Sequence, residues 1–202
     1  MTRIGLNVIY LAGLAFAESL RFPFRLRRAR SRNMWHPPSE HGNFTETLVL
    51  LAVLLSFWIL PAVHIFTHLL SMFDYALPRW TSWPALLVFA LSLVLRFKAQ
   101  QDLGASWSST IELADTHHLV TSGIYGYIRH PIYASLILWS LAQPVLLQNL
   151  IAGLAGICAV ALIWIVRVPA EERMMRDRFG EAYSEYIRRT GKLLPRRRSR
   201  DA

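Results

Sequence analysis

The chain has 202 residues, of which 53% are hydrophobic, and it carries a net charge of +9. This length suits one domain, but the apolar content is too high for an ordinary soluble protein. Because Cys158 is the single cysteine, an internal disulfide and a cysteine-based zinc site are also excluded.

Five apolar runs follow one another along the chain. They are Ile4 to Leu20, Thr47 to Phe66, Trp80 to Leu95, Pro131 to Leu147 and Leu150 to Val166. Most of them approach the roughly 17 to 25 residues that a helix needs to cross a hydrocarbon core. The third run is short, so it would have to borrow its flanks or thin the membrane locally. The sequence predicts an all-α integral membrane protein with about five transmembrane helices.

The first run has an alternative interpretation as a secretory signal. Ala15, Phe16 and Ala17 follow an apolar stretch in the manner of a small-residue cleavage site. However, a dense series of arginines comes directly afterwards and opposes export of the following chain. We therefore expect an uncleaved first span.

The connections between the runs predict how the helices are arranged. The stretch from Arg21 to Asn43 contains three prolines and predicts an irregular, basic connection. Only Gln148 and Asn149 separate the last two runs, which predicts a tight antiparallel hairpin. We accordingly divide the chain into an N-terminal transmembrane region, residues 1–95, and a second region, residues 96–202.

Basic residues are distributed unevenly across this predicted topology. Twenty of the 22 lysines and arginines fall on one side, and only Arg3 and Arg79 fall on the other. The positive-inside rule then places the basic side in the cytoplasm, most simply at an inner or plasma membrane. Attraction to anionic lipid explains the basic stretches, so we expect membrane lipid and no nucleic acid as a partner.

The chain changes abruptly from apolar to charged after Val166. Met175, Phe179, Ala182 and Tyr186 then recur at spacings of three or four residues, which is typical of a helix. This pattern predicts a cytoplasmic amphipathic helix that lies along the interface or packs on the preceding loop.

Two polar clusters flank the predicted hairpin. The first contains the run from His117 to Tyr125 and the block Arg129-His130-Pro131-Ile132-Tyr133, and the second contains Arg167, Glu171 and Glu172. Ionisable groups at a membrane boundary are costly, which makes them candidates for function. Each alone also has a structural explanation, because arginines snorkel and tyrosines favour interfaces.

Taken together, these motifs resemble the isoprenylcysteine carboxyl methyltransferase family. The matching motifs are the run from Asp115 to Gly123, Arg129-His130-Pro131-x-Tyr133, Arg167-x-x-x-Glu171-Glu172 and Phe179-Gly180-x-x-Tyr183-x-x-Tyr186, closed by Pro195. The resemblance covers about residues 96–195. The family's usual glycine after the tyrosine is replaced here by Ala134 and Ser135, which affects the packing of the fourth helix.

The resemblance implies that residues 96–202 form the catalytic region of a methyltransferase. Its donor would be S-adenosylmethionine and its product S-adenosylhomocysteine. The implied donor-binding residues are His117 and Leu119 near the adenine, Tyr125, Arg129, His130 and Tyr133 around the methionine part, and Glu171 with Glu172 on the opposite side. Arg167 and Glu171 are the implied catalytic residues.

The chemistry of methyl transfer is consistent with these residue types. The donor carries a carboxylate, an ammonium and a sulfonium, so its pocket needs cationic groups at one end and carboxylates at another. Transfer is an in-line displacement at an activated carbon, for which positioning and exclusion of water suffice without a metal.

The acceptor is not determined by the sequence. Arg167 can orient a carboxylate, whereas an amine or thiol must first lose a proton to Glu171 or Glu172. Because the motifs lie at the membrane boundary, we expect a lipophilic or small acceptor that enters from the bilayer. The oligomeric state stays open.

Two alternatives remain. A sterol-type membrane reductase would use NADPH, but its block typically reads Arg-His-x-Asn-Tyr, and this chain has Pro131-Ile132-Tyr133. A non-enzymatic membrane or haem-handling protein would use His64 and His68, which are one helical turn apart.

Overall fold

The computed structural model describes residues 1–20, 43–103 and 119–196, and most of these residues are helical. The helices are α1 (Arg3–Ser19), α2 (Asn43–Leu54), α3 (Leu60–Phe66), α4 (Ser82–Leu103), α5 (Pro131–Leu147), α6 (Leu150–Leu162) and α7 (Val168–Arg189). Two π-helical turns, Leu55–Ile59 and Ile163–Arg167, join α2 to α3 and α6 to α7 without interruption. Short 3₁₀ turns occur at Ser71–Phe73, Arg79–Thr81 and Gly123–Gly126.

The predicted all-α membrane fold is confirmed, because the five apolar runs lie in helices, whereas the number of five spans stays a prediction. Three helical stretches are long and apolar enough to cross a membrane, namely Phe44–Phe66, Arg79–Leu103 and Leu150–Arg189, and Pro131–Leu147 is a shorter apolar helix. The protein is therefore an integral membrane protein built from a helical bundle.

Helix α4 is longer than its apolar run. It continues past Leu95 to Leu103 because Arg96, Ala99 and Gln100, spaced three and four residues apart, are all buried against the bundle. The short third run does borrow residues from its flank. The division of the chain at residues 95 and 96 falls inside this helix, so it does not mark a break in the fold.

The predicted hairpin between α5 and α6 is confirmed. Gln148 adopts the left-handed conformation at the end of α5, with φ of 49°, and the Asn149 side chain accepts a hydrogen bond from the Ala152 amide of α6. The two helices approach closely at Gly153, where an added Cβ would lie 2.8 Å from the Pro144 Cα. Glycine is required there for the helices to pack.

An aromatic cluster joins α1 to the remainder of the bundle. The Tyr10, Phe57, Phe89 and Trp139 rings are buried together, and Phe89 meets Trp139 edge to face at a centroid distance of 4.8 Å. The Tyr10 hydroxyl donates a hydrogen bond to the Phe57 carbonyl at 3.2 Å. Helix α1 is thus packed in the core.

The bundle has two chemically different ends. We call the end that carries Asp74, Gln148 and Asn149 the hairpin end, and the end that carries Arg129 and Arg167 the basic end. The guanidinium of Arg3 contacts the Asp74 carboxylate at 2.6 Å and therefore lies at the hairpin end. Among the described residues, the separation of basic groups agrees with the one predicted from the sequence.

The predicted apolar face of the last helix is interrupted at Gly180. This residue has φ of 51° and ψ of −121°, which breaks the helical geometry inside α7. Beyond the break the buried face passes through Tyr183 and Tyr186, whereas Ala182 is exposed. The predicted face is therefore not continuous, because the non-helical Gly180 changes the phase of the residues beyond it; its placement along the membrane interface stays a prediction.

Candidate active site

The loop before α5 is anchored to the end of α4. Gly123 has φ of 59°, and an added Cβ would lie 2.3 Å from the Asp102 Oδ2 atom. The same carboxylate accepts a hydrogen bond from the Ile124 amide at 2.7 Å. The positive φ and the close carboxylate together require glycine at this position, and they fix where the chain turns towards Arg129.

The end of α7 and the segment after it pack along this loop. The Arg129 amide donates to the Gly191 carbonyl at 2.9 Å, and the Gly191 amide donates to the Tyr127 carbonyl at 3.1 Å. The Tyr186 hydroxyl donates to the Tyr125 carbonyl at 2.7 Å. The two polar clusters, which are far apart in the sequence, are therefore held together at the basic end.

The Arg129 side chain links both clusters. Its Nη1 atom donates to the Thr190 carbonyl at 2.6 Å, at the C-terminal end of α7, where a cation is favourable. Its Nη2 atom lies 3.5 Å from Glu172 Oε1. The Nε atom is buried and has no hydrogen-bond partner among the described residues. Arg129 is thus a structural clamp whose Nε donor is unused within the described residues.

Glu172 is surrounded by basic groups. His130 Nε2 lies 3.2 Å from its Oε1 atom, while Lys192 Nζ and Arg176 Nη2 lie 3.2 Å and 3.7 Å from its Oε2 atom. With Arg129, four basic side chains contact one buried carboxylate. This group, which we call the Glu172 cluster, therefore has an excess of positive charge.

Glu171 lies in a different environment. Its Oε1 atom accepts hydrogen bonds from the Tyr133 hydroxyl and from Arg167 Nε, the latter at 2.9 Å. Its Oε2 atom accepts none from the described residues. The His130 ring stacks on the Tyr133 ring at 5.6 Å and so connects the two glutamates. Adjacent carboxylates on one helix therefore have distinct partners.

The N-terminal half of the chain also reaches this site. Glu46, near the start of α2, has its Oε1 atom 3.9 Å from Arg167 Nη1. Arg167 is the last residue of the π-helical turn that joins α6 to α7, and π-turns are frequent at functional sites. Its guanidinium thus lies between carboxylates from the two halves of the chain.

The described residues include all the predicted site residues except His117, which lies outside the described ranges. Arg129, His130, Tyr133, Arg167, Glu171 and Glu172 form one connected polar group. Tyr125 is buried beside it, and burial, reinforced by Tyr186 and Glu171, raises the pKa of its hydroxyl well above the usual range. Leu119 is half-buried at the start of the loop.

Sequence reasoning missed Glu46, Asp102, Trp164 and Lys192. Each meets the site through a contact between distant segments, as when Asp102 meets Ile124. Helical periodicity does not reveal such pairs. Only Glu46 could have been found from the sequence, because it is an ionisable residue next to an apolar run. Arg167 was identified by the same criterion.

Comparison with known proteins agrees with the resemblance. The model of the isoprenylcysteine carboxyl methyltransferase (ICMT) family matches residues 85–177. The chain is related to this family. It is 36% identical over 118 residues to human protein-S-isoprenylcysteine O-methyltransferase and 33% identical over 118 residues to protein-S-isoprenylcysteine O-methyltransferase B of Arabidopsis thaliana. Both matches cover 57% of this chain.

The matches differ in how much of each ICMT relative they include. The chain spans 42% of the human protein and 60% of the Arabidopsis protein. The solved structure of a eukaryotic intramembrane Ras methyltransferase, also an ICMT, superposes with a TM-score of 0.62 at 25% identity, covering 96% of this chain and 67% of that one. The structural likeness therefore extends into the N-terminal helices, which lie outside the family match.

Proposed function

We propose that this protein is an S-adenosylmethionine-dependent methyltransferase with its active site at the basic end. The observation that supports the proposal best is that the hairpin brings Arg129 and His130 together with Glu171 and Glu172, in a chain related to methyltransferases. The catalytic region is residues 96–202, with Glu46 added from the N-terminal region.

The chemistry of the side chains fits this donor. S-adenosylmethionine carries a carboxylate, and the Glu172 cluster has exposed cations, Lys192 and Arg176, to meet it. The donor also carries an ammonium and a ribose, and Glu171 Oε2 is an acceptor that the described residues leave without a hydrogen bond. When bound, the donor would supply the activated methyl group.

Arg167 and Glu171 are the residues we assign to the chemical step. Arg167 is 10% exposed, so its charge acts in surroundings with little water, where electrostatic interactions are strong. It would orient the acceptor, while Tyr133 and Glu46 hold the carboxylate and guanidinium in place. Most of the rate enhancement would come from alignment of the acceptor with the methyl group.

The acceptor we propose is a lipophilic or small molecule that carries a carboxylate, amine or thiol. The family relatives are named for methylation of isoprenylcysteine, a lipid-bearing group. The basic end would face the cytoplasm, because the positive-inside rule favours retention of cationic residues on that side.

The test is transfer of labelled methyl from S-adenosylmethionine to a panel of acceptors. Purified full-length protein in lipid nanodiscs would be supplied with prenyl-cysteine, amine-bearing lipid and small thiols in separate reactions. We expect labelled, extractable product with one acceptor class. Absence of label with every class, together with no binding of the donor, would contradict the proposed function.

A matched pair of variants controls for the site assignment. Glu171→Gln removes the charge of the proposed catalytic carboxylate while keeping its shape. Glu185→Gln makes the same change on the same helix, at an exposed residue paired with Arg189. We expect loss of labelling in the first variant and full labelling in the second. Equal labelling by both variants would remove Glu171 from the mechanism.

A further inference from the structure

Lys192 is placed at the site by contacts on several sides, although it lies 15 residues beyond the segment that matches the family. Its backbone carbonyl accepts a hydrogen bond from the His130 amide at 3.2 Å. Its ammonium lies 3.2 Å from Glu172 Oε2 and 5.2 Å from the centre of the Trp164 ring. A lysine so constrained differs from a freely moving surface lysine.

The contacts of Lys192 leave part of its ammonium unused. An ammonium has three N–H donors and no acceptor. One donor faces the Glu172 carboxylate, and the Trp164 ring attracts the charge through a cation–π interaction. The side chain is 38% exposed. The group is thus oriented by protein on two sides and open on another.

Two of the other basic side chains in the Glu172 cluster are more restricted than Lys192. The Arg129 side chain is 10% exposed and caps α7, and the His130 side chain is 9% exposed and stacks on Tyr133. Arg176 is 52% exposed and contacts the same Glu172 oxygen as Lys192. Lys192 and Arg176 are therefore neighbouring open cations, and a carboxylate could be received between them.

We propose that Lys192 binds the carboxylate in the amino-acid part of the methyl donor, with Arg176 as its neighbour. This inference rests on the proposed function, because it takes S-adenosylmethionine as the ligand. Glu172 and Trp164 act as positioning residues that hold the ammonium ready. The C-terminal segment after α7 thereby becomes part of the donor pocket and determines its preference for a carboxylate-bearing donor.

The test compares two ligands that differ only in this carboxylate. Calorimetric titration of the full-length protein in nanodiscs would use S-adenosylmethionine and decarboxylated S-adenosylmethionine. A charged hydrogen bond is worth roughly 1.5–3 kcal/mol, so we expect wild type to bind the complete donor at least about tenfold more tightly. Lys192→Met should reduce that preference to about twofold or less while leaving the affinity for the decarboxylated ligand unchanged.

Two further variants control the comparison. Lys98→Met makes the same substitution at the exposed Lys98 of α4, and we expect it to keep the wild-type preference. Lys192→Arg retains the charge and should recover most of the preference lost in Lys192→Met.

The possible results separate this inference from the proposed function. A Lys192→Met protein that keeps the wild-type preference, or that loses both ligands equally, would overturn the role of Lys192 in carboxylate recognition. Equal binding of the two ligands by wild type would overturn it as well, while leaving the donor itself supported. If wild type bound neither ligand, the proposed function itself would be contradicted.

Discussion

The hairpin end and the basic end are both polar, but their polar groups are matched to different degrees. At the hairpin end, the Asn149 side chain donates to the Leu70 carbonyl and to Asp74, both at 2.7 Å, and accepts from Ala152. Asp74 in turn contacts Arg3 and, at 3.5 Å, His64. Both polar atoms of the Asn149 side chain are thus used in contacts within the fold.

At the basic end, the polar groups and their partners are less evenly matched. Within the part of the chain that the structure describes, Glu172 has four basic neighbours, Arg129 Nε has no partner, and only one of the two Glu171 oxygens accepts hydrogen bonds. Unpartnered buried atoms also occur elsewhere in the bundle, as at Gln143 Oε1, so the feature that indicates ligand binding is the surplus of positive charge around Glu172. This contrast is the one expected if polar groups at the hairpin end stabilise the fold and those at the basic end carry the proposed function.

The hairpin end also bears on the haem-handling alternative. His64 Nε2 lies 2.9 Å from the Leu147 carbonyl, and Nδ1 faces Asp74. Both ring nitrogens therefore have partners in the fold, and His68 is exposed. This arrangement gives His64 a structural role.

The largest expected difference between the ends comes from matched arginine substitutions. Arg167→Met should lower turnover at least about 100-fold, because it removes a preorganised charge from the site. Arg3→Met also separates an arginine from a carboxylate, but at the hairpin end, and should leave turnover per folded protein within about twofold. Methyl-transfer rates normalised to folded protein would measure both effects. Similar losses in the two variants would remove the distinction between the ends.

Asn149→Ala should have the reverse profile. It removes the helix cap of α6 and leaves the Leu70 carbonyl and Asp74 without an amide donor, at a cost of about 2 kcal/mol. Thermal unfolding in a single detergent would measure the loss of stability. Donor affinity in the folded protein should stay at the wild-type value, and a large drop would mean that the hairpin end shapes the site.

Gly180→Ala should moderately reduce stability and donor binding at the basic end. The space around Gly180 is open, so the substitution creates no clash, but alanine is strained at φ of 51°. We expect a loss of about 1 kcal/mol, together with weaker binding of the donor if the second part of α7 shifts. Thermal unfolding and donor titration would measure the two effects. An alanine variant more stable than wild type would show that the break is dispensable.

The smallest expected effect is a pH dependence at the hairpin end. Burial alone would raise the pKa of Asp74, but the Asn149 hydrogen bond and the charges of Arg3 and His64 outweigh it, so the pKa lies below its ordinary value. Because the folded-state pKa is depressed, the stabilisation is fully present above about pH 4 and is lost as the pH falls further. Unfolding temperatures between pH 7 and pH 3 should fall more for wild type than for Asp74→Asn. Parallel pH profiles would contradict this role.

Much of the fold could be predicted because local signals dominate it. The apolar runs fix the helices, and Gln148 with Asn149 leaves room only for a tight turn, so the meeting of the Arg129 and Glu171 motifs follows from the hairpin. The break at Gly180 could not be predicted, because glycine also occurs inside regular helices, as at Gly153. The extension of α4 could not be predicted either, because Arg96 and Gln100 are polar and mark the end of the apolar run. They are nevertheless buried in the folded protein.

The site was predictable only where its residues form motifs. Arg167 and Glu171 are four residues apart on one helix, so sequence alone pairs them. Glu46 and Lys192 reach the site from distant segments, and their partners are specified by packing of the bundle. The same limitation applies to the different environments of Glu171 and Glu172, which are adjacent in sequence and face different neighbours.

The central claim is that the basic end binds a sulfonium methyl donor. Calorimetric titration of the purified full-length protein with S-adenosylmethionine and, separately, with NADPH tests it most directly. We predict saturable binding of S-adenosylmethionine that is lost in Glu171→Gln, and no binding of NADPH. Binding of NADPH without binding of S-adenosylmethionine would contradict the claim and favour a reductase.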